Sequence, residues 1–342
     1  MKKAFNVIIS LFLLVLAGCG SVAEEGVESN LEVHFVDVGQ ADCALLISDG
    51  ETMLIDGGNV GDSSLVYSYL NDYGIEHLDY IIGTHAHEDH MGGLSGALNK
   101  ATVGKIYLPE VGSDAKFYKD FVDKANEENI EIGVPESGES FPLGDCDVTL
   151  ITPQDIDEEE INNTSIMARV TCGEKSFLFT GDAERTEEED ILSQGIDISA
   201  TVLKSPHHGS ESSSSYPFLR EVMPEIIVIS VGEDNSYGHP HQEVLDRYSD
   251  LGAVVYRTDI NGHIVIKTDG ENLTVEPRKE KKQTQTPEKE EVGEYRYIGN
   301  SGSKKLHLPS CSNLPKEENR VYFENRETAI SSGFTPCKGC NP

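Results

Sequence analysis

Basic charge is the first thing this sequence lacks. Its 342 residues carry 27 Lys and Arg against 60 Asp and Glu, a formal net charge of −33. That deficit argues against a protein that coats DNA by electrostatics, because phosphate contacts need a surplus of Lys and Arg. Charged residues at 25% and apolar residues at 37% exclude a collagenous, coiled-coil or wholly disordered chain. The main apolar run near the N-terminus, Val7 to Gly18, is broken by Ser10 and is too short for a comfortable bilayer span. There is no internal repeat. The deficit is also local: residues 20–276 hold 13 basic and 51 acidic residues, whereas 295–342 hold seven basic and four acidic. The length fits two domains, or one large domain with an appendage.

Lys2 and Lys3 ahead of the apolar run give the pattern of a secretory signal. Leu16-Ala17-Gly18-Cys19 then resembles the bacterial lipobox. The resemblance implies a signal peptide over 1–18 and a lipid on Cys19. It also implies an exported protein anchored on the outer face of the cell membrane, with 19–30 as a spacer.

Short apolar, β-branched runs read as strands from Leu31–Val38 to Leu273–Val275, with helical patterns between them at 62–74, 91–99, 114–129, 184–194, 214–222 and 241–250. Many strands follow one another directly, as hairpins do, so the expected class is α/β with layered sheets and helices outside. Residues 277–294 are polar, charged and nearly free of apolar side chains, which makes them a linker. Cys43 and Cys172 lie in apolar runs and are expected as buried thiols. His34 is expected to face outward, and His77 and His263 receive no role.

The chemistry concentrates in Thr84-His85-Ala86-His87-Glu88-Asp89-His90-Met91-Gly92-Gly93. Three imidazoles and a carboxylate within six residues suit zinc or a similar divalent ion. His85 and His87 can face one ion while Asp89 and His90 face a second. This HxHxDH pattern resembles the signature of the metallo-β-lactamase superfamily. The resemblance covers 31–276 and is carried also by Phe35-Val36-Asp37-Val38-Gly39-Gln40-Ala41-Asp42, Ile55-Asp56-Gly57-Gly58, Phe179-Thr180-Gly181-Asp182 and Lys204-Ser205-Pro206-His207-His208-Gly209-Ser210. Together these are most similar to the soluble domain of ComEC-type DNA-uptake proteins and imply a four-layer αββα sandwich.

By that resemblance His85 and His87 hold the first ion. Asp89, His90 and one of His207 and His208 hold the second, and Asp182 bridges the two. Asp37 orients a ligand histidine from behind, as carboxylates usually do. Most of the superfamily supplies a further histidine before the bridging aspartate, yet none occurs between Met91 and Gly181. Asn162-Asn163-Thr164-Ser165 stands there instead, making Asn163 a possible ligand and the first site a weak one, open to a harder ion such as manganese. The Asn235…His239-Pro240 loop is expected at the rim. A pair of Zn or Mn ions roughly 3.5–4 Å apart would bring the pKa of a shared water near 7 for attack on phosphorus or carbonyl carbon. Asp89, His208 and His239 are the expected catalytic residues, with His208 or His239 supporting the leaving oxygen.

His307-x3-Cys311 followed by Cys337-x2-Cys340 gives four soft ligands at structural-zinc spacing, with a disulfide between two of the cysteines as the alternative. A 48-residue segment needs such a staple. Tyr297-Ile298-Gly299-Asn300, His307-Leu308-Pro309-Ser310-Cys311 and Gly333 through Cys340 resemble the Ada-type metal-binding domain, here over 295–342. His307 occupies the place of Ada's methyl-accepting cysteine, so methyl transfer is not implied. Arg296, Lys304, Lys305, Lys316, Arg320, Arg326 and Lys338 are available for phosphate contacts.

These features together lead to an exported metal-dependent hydrolase, a nuclease or phosphodiesterase acting on extracellular DNA. The alternatives are a cell-wall phosphodiesterase of the phosphorylcholine-esterase kind, a lactonase, or a catalytically weak surface DNA-binding protein.

Overall fold

The computed structural model describes residues 30–279 and 297–342, apart from 310, 312, 317, 318, 324 and 341. The expected signal peptide, Cys19, Arg296 and the linker from residue 280 onward lie outside the described residues. Among the described residues, no helix is long and apolar enough to cross a membrane.

Two mixed sheets face each other. One runs Leu273–Pro277, Ile264–Thr268, Leu31–Phe35, Ala44–Ser48, Glu51–Ile55, His77–Ile82, Thr102–Tyr107, Glu131–Gly133. The other runs Val254–Arg257, Ile226–Ile229, Val202–Lys204, Lys175–Phe179, Met167–Cys172, Cys146–Ile151, Ser140–Leu143. The period-two alternation of strand side chains creates the layers. Leu31, Val33, Phe35, Leu46, Met53 and Ile55 meet Val148, Val170, Phe177 and Val228 between the sheets. Leu45, Leu54 and Ile81 point the other way, under the helices Ser63–Asp72, Leu94–Lys100 and Lys116–Glu127. Leu178, Leu203 and Ile227 do the same under Arg185–Gln194, Tyr216–Val222 and Gln242–Leu251. Helix, sheet, sheet, helix is the expected αββα order.

Two readings of single residues change. His34 points away from the inter-sheet core yet is only 1% exposed, because Tyr69 of Ser63–Asp72 and Tyr73, which caps that helix, close over its ring. Cys172 is not a free thiol: it is bonded to Cys146. They lie one position beyond the Asp147–Thr171 pair in the antiparallel register of Cys146–Ile151 with Met167–Cys172, with Cα atoms 4.5 Å apart. Cys43 is free and buried, as expected.

The C-terminal residues form a separate small sheet, ordered Arg320–Phe323, Tyr297–Asn300, Lys305–His307, Thr335–Pro336. Leu306, Phe323, Ala329 and Phe334 are its own core. So few apolar residues stabilise little by themselves.

Candidate metal centre

The parallel strands of both sheets end at one edge of the sandwich, and the loops leaving them carry the polar residues. Asp56 follows Glu51–Ile55, and 84–90 follow His77–Ile82. Asp182 follows Lys175–Phe179, and His207 and His208 follow Val202–Lys204. Glycine sets the spacing behind the loops. A β-carbon on Gly93 would strike the Gly57 carbonyl oxygen, and one on Gly92 the Val60 amide nitrogen. Helix Leu94–Lys100 therefore approaches the Asp56-Gly57-Gly58 turn at backbone distance.

Asp89, His90, Asp182 and His208 offer one ligand atom each within 4.8 Å of one another. His90 Nε2 is 3.2 Å from Asp182 Oδ1. His208 Nε2 is 3.4 Å from Asp89 Oδ2 and 3.7 Å from Asp182 Oδ2. His85 Nε2 is 4.0 Å from the same Asp182 Oδ2 and 3.0 Å from His87 Nδ1. His90 Nε2, His208 Nε2 and Asp182 Oδ1 are buried without a hydrogen-bond partner. Buried polar atoms are normally satisfied, and three orphans converging from imidazole and carboxylate suit a divalent cation.

The outer ring nitrogens explain why these atoms stay free. His90 Nδ1 donates to Asp56 Oδ2 at 2.8 Å. Asp56 is fixed by the Thr84 amide and hydroxyl, each at 2.8 Å. His208 Nδ1 donates to the Ser230 carbonyl at 2.9 Å and lies 3.2 Å from Asp42 Oδ1. Nδ1 is thereby engaged on each ring, and Nε2 is the atom left facing Asp182, available to a cation once it gives up its proton. Electrostatics follows the same plan. Burial alone would raise the Asp182 carboxyl, but the facing imidazoles of His90 and His208 hold it well below the usual carboxylate range. Burial opposes charge on His208, yet Asp182 and Asp42 push its pKa up to about 10. Burial and the neighbouring His90 lower His85 well below the ordinary histidine value.

Two expectations change. Asp37 does not back a ligand histidine: its amide donates to His263 Nδ1 and its carboxylate meets Lys279. Gly39, in the left-handed region at φ 76°, turns the chain so that Asp42, three residues on, reaches the site. Asn163 has its carbonyl oxygen committed to the amides of Glu184 and Glu187, at 3.0 and 3.4 Å. Both lone pairs serve the start of Arg185–Gln194, so this oxygen is not a free ligand. His208, expected either as the histidine of the second ion or beside the leaving oxygen, stands in the first of these places, inside the buried donor set with its Nε2 facing Asp89 and Asp182. Sequence reasoning passed over Asp42, Asp56 and Lys204 as site residues, although all three lie in the quoted motifs.

His239 is half-buried at the rim. Its ring centre lies 5.6 Å from that of His207 and 6.5 Å from that of His208. Asn235 clamps the loop by accepting from the His239 amide and donating to its carbonyl. Burial and the adjoining imidazoles lower its pKa to about 4, so the ring is neutral at pH 7.

In the C-terminal unit His307, Cys311, Cys337 and Cys340 converge within the same 4.8 Å limit. His307 Nδ1 is 3.3 Å from Cys311 Sγ, and the three thiols are free rather than bonded. This is a four-donor set of structural-zinc type.

Both units of the chain resemble known families. Residues 288–342 match the metal binding domain of Ada. ComE operon protein 3 of Bacillus subtilis is 29% identical over 272 residues, covering 74% of this chain and 34% of that protein. Competence protein ComA of Neisseria gonorrhoeae is 31% identical over 253 residues, covering 73% and 34%. Recombination protein 2 of Haemophilus influenzae is 24% identical over 287 residues, covering 82% and 34%. The chain thus spans about a third of the length of these curated relatives. Among solved structures, the metallo-beta-lactamase fold protein YhfI of Bacillus subtilis is similar with a TM-score of 0.45 and 17% identity, covering 67% of this chain and 96% of that one. Residues 36–233 match the metallo-beta-lactamase superfamily, and with the αββα layers and the Asp182-centred donor set already in place, the chain belongs to that superfamily.

Proposed function

We propose that this protein is an exported, lipid-anchored, metal-dependent phosphodiesterase that cleaves DNA outside the cell. In this reading residues 31–276 are the hydrolase body, 277–294 a linker and 295–342 a zinc-stapled module that holds nucleic acid. The observation that carries it is the convergence of orphaned ligand atoms on Asp182. The names of the competence and recombination relatives support DNA as the substrate. The Cys146–Cys172 disulfide supports export, since such bonds persist in oxidising compartments.

His85, His87, Asp89, His90, Asp182 and His208 hold two divalent ions, Zn or Mn. When bound, the ions supply an acidified water and neutralise charge on the phosphoryl group. Asp56 and Asp42 keep His90 and His208 in the tautomer that presents Nε2. Asp89, 32% exposed at its side chain, and the partly exposed His87 are the members of the set that substrate water can reach. His239, neutral and with its Nδ1 3.5 Å from the Gln40 amide nitrogen, keeps its own proton on Nε2 and donates it to a phosphate oxygen. No serine or cysteine nucleophile takes part. Lys304, Lys305, Lys316 and Lys338 are exposed on the module, where they can meet phosphates.

The test uses the 20–342 protein with linear DNA, bis(p-nitrophenyl) phosphate and nitrocefin, with Mn²⁺ or Zn²⁺ and with chelator. DNA and small-diester cleavage that both vanish in Asp89→Ala support the reading. Turnover of the small ester alone favours a cell-wall phosphodiesterase. Metal binding without turnover favours a DNA-binding protein.

A further inference from the structure

Two of the histidines around Asp182 are backed by a carboxylate, His90 by Asp56 and His208 by Asp42. A third pair has the same form. His207 Nδ1 lies 3.1 Å from Glu184 Oε1 and 3.3 Å from Ser212 Oγ, while its Nε2 lies 3.7 Å from Asp182 Oδ2. That oxygen is shared: His85 Nε2 approaches it at 4.0 Å and His208 Nε2 at 3.7 Å. Glu184 is fixed in turn. Its Oε1 accepts from the Ser212 hydroxyl at 2.9 Å and from Asn162 Nδ2 at 3.3 Å, and its amide donates to Asn163 Oδ1. The NNTS segment that replaces the missing histidine is therefore what holds Glu184.

The backbone is specialised at the same place. His207, His208 and Gly209 have φ of 48°, 51° and 82°. Left-handed non-glycine residues cost about 1–3 kcal/mol each and persist where the surroundings impose them. The two rings end 6.2 Å apart at 66° to each other. His208 joins the tight group with Asp89, His90 and Asp182, whereas His207 stands outside it.

We propose that His207, oriented by Glu184, is the third nitrogen ligand of the first ion, beside His85 and His87, and that the His207-His208 pair gives one imidazole to each ion. Glu184 is a positioning residue that acts through His207. This rests on reading the centre as a two-ion site, and it supplies the nitrogen that the segment between Met91 and Gly181 does not.

Manganese separates the possibilities, because the thiolate-rich C-terminal set disfavours so hard an ion. Equilibrium dialysis of the 20–342 protein with Mn²⁺, read together with its paramagnetic resonance spectrum, is expected to give two spin-coupled ions per wild-type chain. His207→Ala is expected to give one ion and an uncoupled spectrum. Glu184→Ala should weaken the second ion about 10–100-fold, and Glu184→Gln, whose amide oxygen still accepts from Nδ1, should restore most of that loss. Two coupled ions of unchanged affinity in both His207→Ala and Glu184→Ala overturn the assignment. Fewer than two ions in the wild type overturn the two-ion reading itself, and this assignment with it.

Discussion

Lys204 Nζ lies 2.8 Å from Asp42 Oδ2, with both side chains sealed from solvent. Lys204 belongs to one sheet's strand end and Asp42 to the other half of the sandwich. The other oxygen of Asp42 faces His208 Nδ1, so one carboxylate ties the ion pair to the donor set. Removing one partner of a buried pair leaves an uncompensated charge, which costs about 3–5 kcal/mol. Lys204→Met is expected to lose that much stability in urea titration, and adding Asp42→Asn should recover part of it. A loss below 1 kcal/mol would show that the pair carries no such weight.

Asp42 and Asp37 provide a matched contrast. Asp42→Asn removes the charge behind His208 and is expected to weaken metal affinity about 10–100-fold. Asp37→Asn, five residues earlier and away from the donor set, is expected to leave it unchanged. Dialysis against a competing chelator measures both, and equal effects would return Asp37 to the site.

Acid sensitivity should arise partly at His34, outside the donor set. Burial lowers its pKa to about 4, against which Glu32 acts only partly. The unfolded chain binds a proton near pH 6.5, where the folded chain does not. Stability is therefore whole above pH 6.5 and falls as pH drops toward 4. His34→Phe lacks this proton, so its stability relative to wild type should rise through that window. A difference independent of pH between 6.5 and 4 would rule His34 out.

The C-terminal donor set is expected to be separable from catalysis. Cys340→Ser should lower zinc content by one ion per chain, unfold the small sheet and weaken DNA binding. Hydrolysis of bis(p-nitrophenyl) phosphate should persist. Unchanged DNA affinity in this variant would remove the module from substrate binding.

The Cys146–Cys172 bond closes a loop of 26 residues, for which chain-entropy arguments give about 3 kcal/mol. Dithiothreitol, or Cys172→Ser, should lower the melting temperature by several degrees. An unchanged melting temperature would mean that the strand pairing alone holds these residues.

Much of this was legible in the sequence, for identifiable reasons. Strand alternation and helix period located the short apolar runs and the six helical stretches, because each depends on neighbours within a few residues. The HxHxDH segment was legible because its ligands share one loop. What failed depended on distant partners. His34 looked exposed because its cover, Tyr69 and Tyr73, comes from a helix more than thirty residues away. Asp37 was preferred to Asp42 because both end the same strand motif, and only the left-handed turn at Gly39 decides which of them reaches the histidines. Asn163 looked like a ligand until the helix it caps was in place. Cys172 needed the strand register to find Cys146.

The donor set draws on Asp89 and His90 from one half of the sandwich and on Asp182 and His208 from the other, with Asp42 behind them and His239 in front. Nearly two hundred residues separate the first of these from the last. A chain emerging in order therefore completes the centre only after almost the whole body has been made and both sheets have docked. Ion capture is thereby a late event in the life of each molecule, one that reports a finished fold, and a truncated or mispaired chain would be left without it.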